Sequence, residues 1–312
     1  MIKMNLPGDD DIGKNTVWLF ISGIDWIPGF LFFFDNNFIN IKLEKLREYL
    51  IDKLSLKFNI REKSRIKLLS GVLDWTQTII IALILVFIIQ YFYLGNYTVP
   101  TSSMYPTIKP GERFFADKVS YRFRDPERGE ILVFKEPLLD KERYTKRLIA
   151  LPGEYVQIKD EAVYINGEKL NSDKSYFNNN TLQGERVWKV PEKGDRIKLT
   201  DGFFRLNGQI YSLDHLRERV SKNPDLLKNI YIISANIVLN ENINTGPIYD
   251  RDILLELIKG KELVLDKDYY YVLGDNSGNS LDSRYWGFVS EKRIMGRMMF
   301  RFWPVKNIGV VR

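Results

Sequence analysis

Tyr97-Thr98-Val99-Pro100-Thr101-Ser102-Ser103-Met104-Tyr105-Pro106-Thr107-Ile108-Lys109-Pro110 is the stretch around which this chain is organised. It follows the longest apolar run in the sequence by a few residues. It sets small hydroxyl residues between prolines and puts one apolar side chain directly after a serine. Proline fixes φ and biases the residue before it toward extended backbone. A serine so placed sits on a stiff support, which a nucleophile needs if it is to stay close to its base. Serine-rich, proline-bounded segments are also ordinary loops, so the reading depends on what the rest of the chain supplies.

Just upstream, Val72 to Leu94 reads as a membrane anchor. Its centre, Ile79 to Ile89, is unbroken apolar sequence, and at about 1.5 Å per residue the segment covers the roughly 30 Å hydrocarbon core of a bilayer. Asp74 and Trp75 stand at one end, and Tyr91, Phe92 and Tyr93 at the other, as interfacial aromatics do. The segment begins too far from the N-terminus for a cleaved signal peptide. Lys57, Arg61, Lys63, Arg65 and Lys67 precede it. The positive-inside rule therefore puts that side in the cytoplasm and everything from about Gly95 onward outside. Farther upstream, Val17 to Phe34 is apolar and aromatic but interrupted by Gly23, Asp25, Pro28 and Gly29. That pattern fits a kinked first span or an interfacial segment, and either leaves the basic loop cytoplasmic. Asp35 to Lys67 carries helical periodicity through Ile41, Leu43, Leu46, Leu50 and Leu54.

Downstream, short strands alternate with turn chemistry. Glu130–Phe134, Tyr155–Ile158, Ala162–Ile165, Phe203–Leu206, Tyr269–Leu273 and Ile294–Trp303 read as strands. Asn166-Gly167, Asp201-Gly202 and Asn207-Gly208 read as hairpin turns. The expected fold is mainly β, with one or two transmembrane helices before it. Leu213–Val220 and Asp252–Ile258 have helical spacing, and residues 171–260 read as an inserted α+β lobe. The expected division is an N-terminal region over 1–71, an anchor over 72–94, a β-rich body over 95–170 and 261–312, and the insert between its two parts.

Composition narrows the chemistry. A charged fraction of 28% and a hydrophobic fraction of 45% describe a globular protein. A net charge of +6 over 312 residues is mild, and no basic stripe or nucleic-acid-binding motif accompanies it. With no cysteine, disulfides, thiolate catalysis and cysteine-ligated metals are excluded. His215 is the one histidine, so a histidine-clustered metal site is excluded, and no metal or cofactor is expected. His215 itself reads as a surface helix residue. A serine hydrolase built on this chain has to consider a base other than histidine.

Three more stretches share the dense character of the first. They are Arg128-Gly129-Glu130-Ile131-Leu132-Val133-Phe134, Tyr144-Thr145-Lys146-Arg147-Leu148-Ile149-Ala150-Leu151-Pro152-Gly153-Glu154, and Gly274-Asp275-Asn276-Ser277-Gly278-Asn279-Ser280-Leu281-Asp282-Ser283-Arg284-Tyr285-Trp286-Gly287. With them the chain resembles the bacterial type I signal peptidases (leader peptidases), membrane-anchored serine proteases with a Ser/Lys dyad. The resemblance covers about residues 72–168 and 269–304. Pro100 to Thr107 meets the family's P-S-x-S-M-x-P-T pattern, Lys146 to Glu154 its lysine motif, and Gly274 to Gly287 its final motif. It implies that Ser103 is the nucleophile and Lys146 the general base. Ser280 would orient that lysine, and Thr101 would help the Ser103 N–H hold the oxyanion. Asp282 and Arg284 would form a charged pair bracing the lysine's surroundings. Threonine stands at 101 where the family often has serine, Ser277-Gly278 where it has a charged pair, and Glu154 where it has aspartate. None of these touches the dyad.

The dyad also makes physical sense by itself. A lysine in water is charged at neutral pH and cannot accept a proton, whereas burial disfavours the charge and lowers the pKa by up to several units. Lys146 precedes Leu148, Ile149 and Leu151, as in a largely apolar strand. A neutral amine there could take the proton of Ser103. Ser102 is the nearest rival, and Met104 sets the register in favour of Ser103. Arg147 reads as a solvated charge, and Asp275 and Asn276 as turn formers.

The resemblance further implies exported preproteins as substrates, cut after small residues at the first and third positions before the scissile bond. Tyr97, Val99, Pro100, Met104, Ile108, Val133 and Thr145 are then candidate substrate-binding residues. The expected partners are signal-peptide-bearing preproteins, the lipid bilayer and the secretion translocon, with no nucleic acid. The expected location is the bacterial cytoplasmic membrane, with the catalytic domain on the extracytoplasmic face. Two other readings stand beside this one. One is a catalytically silent anchored β-domain that binds extended peptides or scaffolds a secretion complex. The other is a self-cleaving Ser/Lys regulator, whose DNA-binding head is replaced here by a membrane span.

Overall fold

The computed structural model describes residues 36–58, 62–137, 142–178, 181–206, 208–223, 226 and 230–311. Val17–Phe34 and Asn207 lie outside them. Two compact units divide the chain, Met1–Ile84 and Leu85–Arg312.

In the first unit the periodic stretch forms two helices rather than one. Helix α1 spans Asn36–Lys57 and α2 begins at Lys63, so Lys63, Arg65 and Lys67 lie in the first turns of α2. Arg47 Nη1 of α1 meets Asp74 Oδ1 of α2 at 2.7 Å. Helix α2 runs to Ile88 and continues through a wider π-type turn, Ile89–Tyr93. The 31 residues Lys63–Tyr93 are long and apolar enough to cross a membrane, and protein buries none of their apolar window. A core helix of a soluble protein would instead be mostly covered.

The second unit is built of antiparallel sheets. Its largest has seven strands in the order β1-β2-β16-β3-β4-β14-β15. These are β1 (Leu94–Thr98), β2 (Arg113–Asp117), β3 (Ile131–Lys135), β4 (Arg143–Ala150), β14 (Tyr269–Leu273), β15 (Val289–Ser290) and β16 (Ile294–Trp303). A four-stranded sheet follows the order β7-β6-β5-β8, with β5 at Tyr155–Lys159, β6 at Ala162–Ile165, β7 at Glu168–Lys169 and β8 at Trp188–Lys189. Asn166 and Gly167 both have positive φ between Ile165 and Glu168, as a type I′ turn requires.

The third sheet contains β9 (Arg196–Leu206), β10 (Gln209–Ser212), β11 (Ile230–Leu239), β12 (Ile243–Thr245) and β13 (Leu263–Val264). Helices α3 (Leu213–Lys222) and α4 (Arg251–Ile258) pack on it where helical spacing was read. Asp201-Gly202 does not turn the chain. It lies inside β9, where the inside–outside alternation slips by one residue at Thr200 and Asp201. Asn236 of β11 faces Asp201 while the next residue, Ile237, faces Leu199, which marks a β-bulge. A Cβ on Gly202 would come within 2.8 Å of the Ser234 carbonyl oxygen, so close approach of two strands, not chain reversal, demands glycine there.

One apolar core joins all three sheets. It holds Leu132, Leu148 and Tyr271 from the first, Val156, Val163 and Trp188 from the second, and Ile197, Phe204 and Ile237 from the third. Burial of such side chains is worth about 1.5–3 kcal/mol each. A smaller core under β1 gathers Val99, Met104, Ile108, Phe114, Ala116, Ile131, Val133 and Met298. The Ser103 segment lies over this second core.

Candidate active site

Ser103 sits in a hydrogen-bonded turn. Tyr105 N–H donates to the Ser102 carbonyl at 3.0 Å, and Ile108 N–H donates to that of Met104 at 2.8 Å. Met104 and Ile108 are wholly buried beneath it, which fixes the turn to the small core. The Gly274–Ser280 turn clamps the same segment from the other side. Asn276 N–H donates to the Ser103 carbonyl at 3.0 Å, Asn276 Nδ2 to the Ser102 carbonyl at 3.1 Å, and Asn279 Nδ2 to Ser102 Oγ at 2.6 Å. Ser102 is thus committed to holding the turn, and Ser103 keeps its hydroxyl for another partner.

That partner is Lys146. Its Nζ lies 2.7 Å from Ser103 Oγ, and the two residues are only 4% and 6% exposed. Strand β4 brings it there, with Lys146 in register with Leu132 of β3. Burial pulls the ammonium down to about 8, opposed by the negative charge of Asp282 and helped by the positive charge of Arg284. Thr101 Oγ1 lies 3.3 Å from Ser103 Oγ. Among the described residues the Ser103 N–H has no backbone acceptor. The arrangement brings together a hydroxyl, an amine close to its neutral form, and two donors beside them.

Ser280 comes close to the dyad without bonding to the lysine. A Cβ on Gly274 would strike both Ser280 Oγ, at 2.1 Å, and the Ser103 carbonyl, at 2.6 Å, so glycine lets the two segments meet. The buried Ser280 hydroxyl has no hydrogen-bond partner among the described residues. Asp282 and Arg284 form the expected pair, wholly buried, with Nε to Oδ1 and Nη2 to Oδ2 both at 2.8 Å. Arg284 also donates to Ser277 Oγ at 2.5 Å, to the Ser277 carbonyl at 2.9 Å, and to the Phe177 carbonyl. Asp282 Oδ2 accepts from Gly274 N–H at 3.0 Å. With its donors satisfied, this pair staples the whole final motif into one rigid loop.

Arg147 corrects the sequence reading. It is not a solvated charge: its guanidinium grips Asp275 at 2.8 and 2.7 Å and donates to the Gly129 carbonyl at 2.7 Å. Asp275 also accepts from Thr107 Oγ1 at 2.5 Å. Asp275 therefore ties the lysine strand to the serine segment, a role larger than shaping a turn. Its position in the final motif was visible in sequence, but its partners lie 128 and 168 residues away in the chain.

A groove of about 450 Å³ opens beside the dyad. Val99, Pro100 and Thr145 line it with Thr101, Ser103, Lys146 and Ser280. Met104, Ile108 and Val133 lie beneath it in the small core, and Tyr97 packs on that core from the side. Glu142, Arg143, Tyr144, Leu281 and Tyr285 also line it. The sequence reading gave none of these five a role: Glu142 and Arg143 stand outside the quoted stretches, and Tyr144, Leu281 and Tyr285 stand inside them without a chemical signal of their own. His215, on the exposed face of α3, is not among the residues brought together here, and its Nδ1 lies 3.1 Å from Ser212 Oγ.

Comparison with known proteins places the chain in a family. The family described as "Signal peptidase, peptidase S26" matches residues 72–193 and 186–303. Signal peptidase I of Buchnera aphidicola subsp. Baizongia pistaciae is 32% identical over 238 residues, covering 70% of this chain and 72% of that protein. Signal peptidase IB of Staphylococcus aureus (strain COL) is 30% identical over 233 residues, covering 75% and 90%. A probable signal peptidase I-2 of Synechocystis is 30% identical over 244 residues, covering 77% of each. With a family match over most of the chain, the chain belongs to the signal peptidase family, peptidase S26, and is a serine endopeptidase.

Proposed function

We propose that this endopeptidase removes signal peptides from exported preproteins, with Ser103 as nucleophile and neutral Lys146 as general base. The observation that carries the reading is the 2.7 Å contact between Ser103 Oγ and a buried lysine whose pKa has fallen to about 8. At that value half of the molecules hold a proton-accepting amine at pH 8.

Ser103 Oγ attacks the scissile carbonyl carbon while its proton passes to Lys146 Nζ. The carbonyl oxygen becomes an oxyanion held by the Ser103 N–H and the Thr101 hydroxyl, each donor worth about 3 kcal/mol in the transition state. The tetrahedral species collapses, the C–N bond breaks, and the Lys146 ammonium returns its proton to the departing amine. Water then attacks the Ser103 acyl ester, giving a proton to Lys146; the ester C–O bond breaks as Lys146 returns that proton to Ser103 Oγ, and the signal peptide leaves as a carboxylic acid that ionises in water. Ser280 supports the amine's placement, with its unpartnered hydroxyl close at hand.

The substrate lies extended in the groove. Strand β4 pairs with β3 along residues 143–147 but with β14 only along 147–150. Residues 143–146 therefore keep an open edge among the described residues, suited to strand addition by a peptide. Val99, Pro100 and Thr145 shape the pockets for small side chains. The Lys63–Tyr93 helix crosses the cytoplasmic membrane, and the basic residues around its start keep that end inside. The catalytic unit then works on the extracytoplasmic face, where preproteins leave the translocon.

The test is cleavage of a preprotein with an Ala-x-Ala site by the detergent-solubilised full chain. Wild type cuts it, while Ser103→Ala and Lys146→Ala, folded by circular dichroism, do not. Cleavage by Ser103→Ala would sink the nucleophile assignment. No cleavage by a folded wild type would favour a silent peptide-binding module.

A further inference from the structure

The groove carries a charge that the reaction does not use. Arg143 opens β4 and is exposed, and it lines the groove together with Glu142. Its guanidinium lies over the Tyr97 ring, 5.8 Å from the centroid. That ring is itself held in place. It packs on Phe114 with centroids 5.8 Å apart, and it occupies the space where a Cβ on Gly95 would stand, 2.2 Å from Tyr97 Cε2. A fixed aromatic face under a guanidinium removes much of the side chain's freedom and holds the cation in one place. The charge is therefore presented to the groove at a defined position.

Strand geometry says which substrate residue would meet it. Arg143 and Thr145 share one face of β4, because side chains alternate. Thr145 sits opposite Val133, a member of the small core that also contains Val99. On the proposed function, the pocket of Val99 and Thr145 takes the third residue before the scissile bond. A peptide added to the open edge advances in step with β4, two residues for two. The next side chain on the same face, the fifth before the scissile bond, then falls beside Arg143.

We infer that Arg143, seated on Tyr97, is a specificity-determining residue that favours an acidic side chain at the fifth position before the cleavage site and disfavours a basic one. This rests on the signal-peptide-cleaving reading of the same groove. Glu142, just before β4, also lines the groove, and only Arg143 is stacked on Tyr97.

Three preproteins differing only at that position (Glu, Gln or Lys) test it, each cut by full-length wild type, Arg143→Gln, Arg143→Glu and Tyr97→Leu. The reading is the ratio of kcat/KM values within each variant, so that a general loss of activity cancels. Wild type cuts Glu over Lys by about fivefold, the scale of an exposed ion pair against its like-charged counterpart. Arg143→Gln brings the ratio near one, Arg143→Glu inverts it, and Tyr97→Leu reduces it. In wild type alone, rising salt shrinks the ratio, because an exposed pair is screened within a Debye length of about 8–10 Å. The same order of substrates in Arg143→Glu as in wild type, or a wild-type ratio indifferent to salt, overturns the assignment while the protease reading stands. Failure of wild type to cut any of the three removes both.

Discussion

Lys146 and Arg147 are adjacent on one strand, and both are largely withdrawn from water, yet the protein treats their charges in opposite ways. Arg147 receives a carboxylate in a bidentate grip, and Asp275 holds its guanidinium charged against burial. Lys146, on the other face, receives a hydroxyl. Asp282 and Asp275 favour its charge only through space, and desolvation outweighs them. Two residues apart along β14's following loop, Asp282 and Arg284 repeat the first solution, a buried pair with its hydrogen bonds satisfied. On the proposed function, the contrast teaches how a base is made from a lysine: bury the amine and commit the nearby carboxylates to arginines.

The largest effect comes from abolishing the difference between the two neighbours. Lys146→Arg keeps the charge but supplies a group that does not deprotonate, so kcat falls by about 10³-fold or more, comparable to loss of a catalytic base in other nucleophilic hydrolases. Single-turnover cleavage by the folded variant checks this, and activity within tenfold of wild type would break the contrast. Next, Asp282→Ala strands Arg284 as a buried unpaired charge, at a cost of about 3–5 kcal/mol. Thermal unfolding in detergent reads it as a large drop in Tm, and an unchanged Tm would show the pair to be ornamental.

Lys146→Met tests the other side, with the opposite sign. The folded pKa of about 8 lies below the value of about 10.5 expected when unfolded, so the folded state binds fewer protons between those pH values. Wild-type stability therefore rises with pH through that window, and below pH 8 the lysine costs roughly 3 kcal/mol. Lys146→Met recovers this at pH 7 and gains nothing above pH 10.5, as chemical denaturation at the two pH values will show. Destabilisation of equal size at both would contradict the sign. The smallest effect is on position. Asp275→Asn removes an anion that favours the Lys146 charge and leaves Arg147 unneutralised, so the pH at which Lys146 deprotonates moves down. A shift upward would mean that Asp275 acts otherwise.

The meeting of Ser103 with Lys146 was legible because its signals are local and ordered: a serine before Met104, a lysine opening a run toward Pro152-Gly153, and a composition with one histidine. The strand Tyr269–Leu273 was legible as a continuous apolar run, and β16 by its length. What escaped depended on distant partners. Arg147 looked solvated because nothing near it in sequence names Asp275. Asp201-Gly202 looked like a turn because its short-range preference says so, and the register of β11 against β9 overrode it. Val133, Met104 and Ile108 were grouped with the pocket, and all three belong to the small core beneath the groove. Glu142 and Arg143 escaped because a groove wall is defined by the space in front of it, which no spacing of residues encodes.

The account turns on a neutral Lys146 acting on Ser103, and the pH dependence of kcat/KM on an Ala-x-Ala preprotein tests it most directly. The predicted profile for wild type climbs from pH 6, inflects near 8 and levels off above it, as the amine loses its proton. A profile flat from pH 6 to 10, or one that falls through 8, would contradict it.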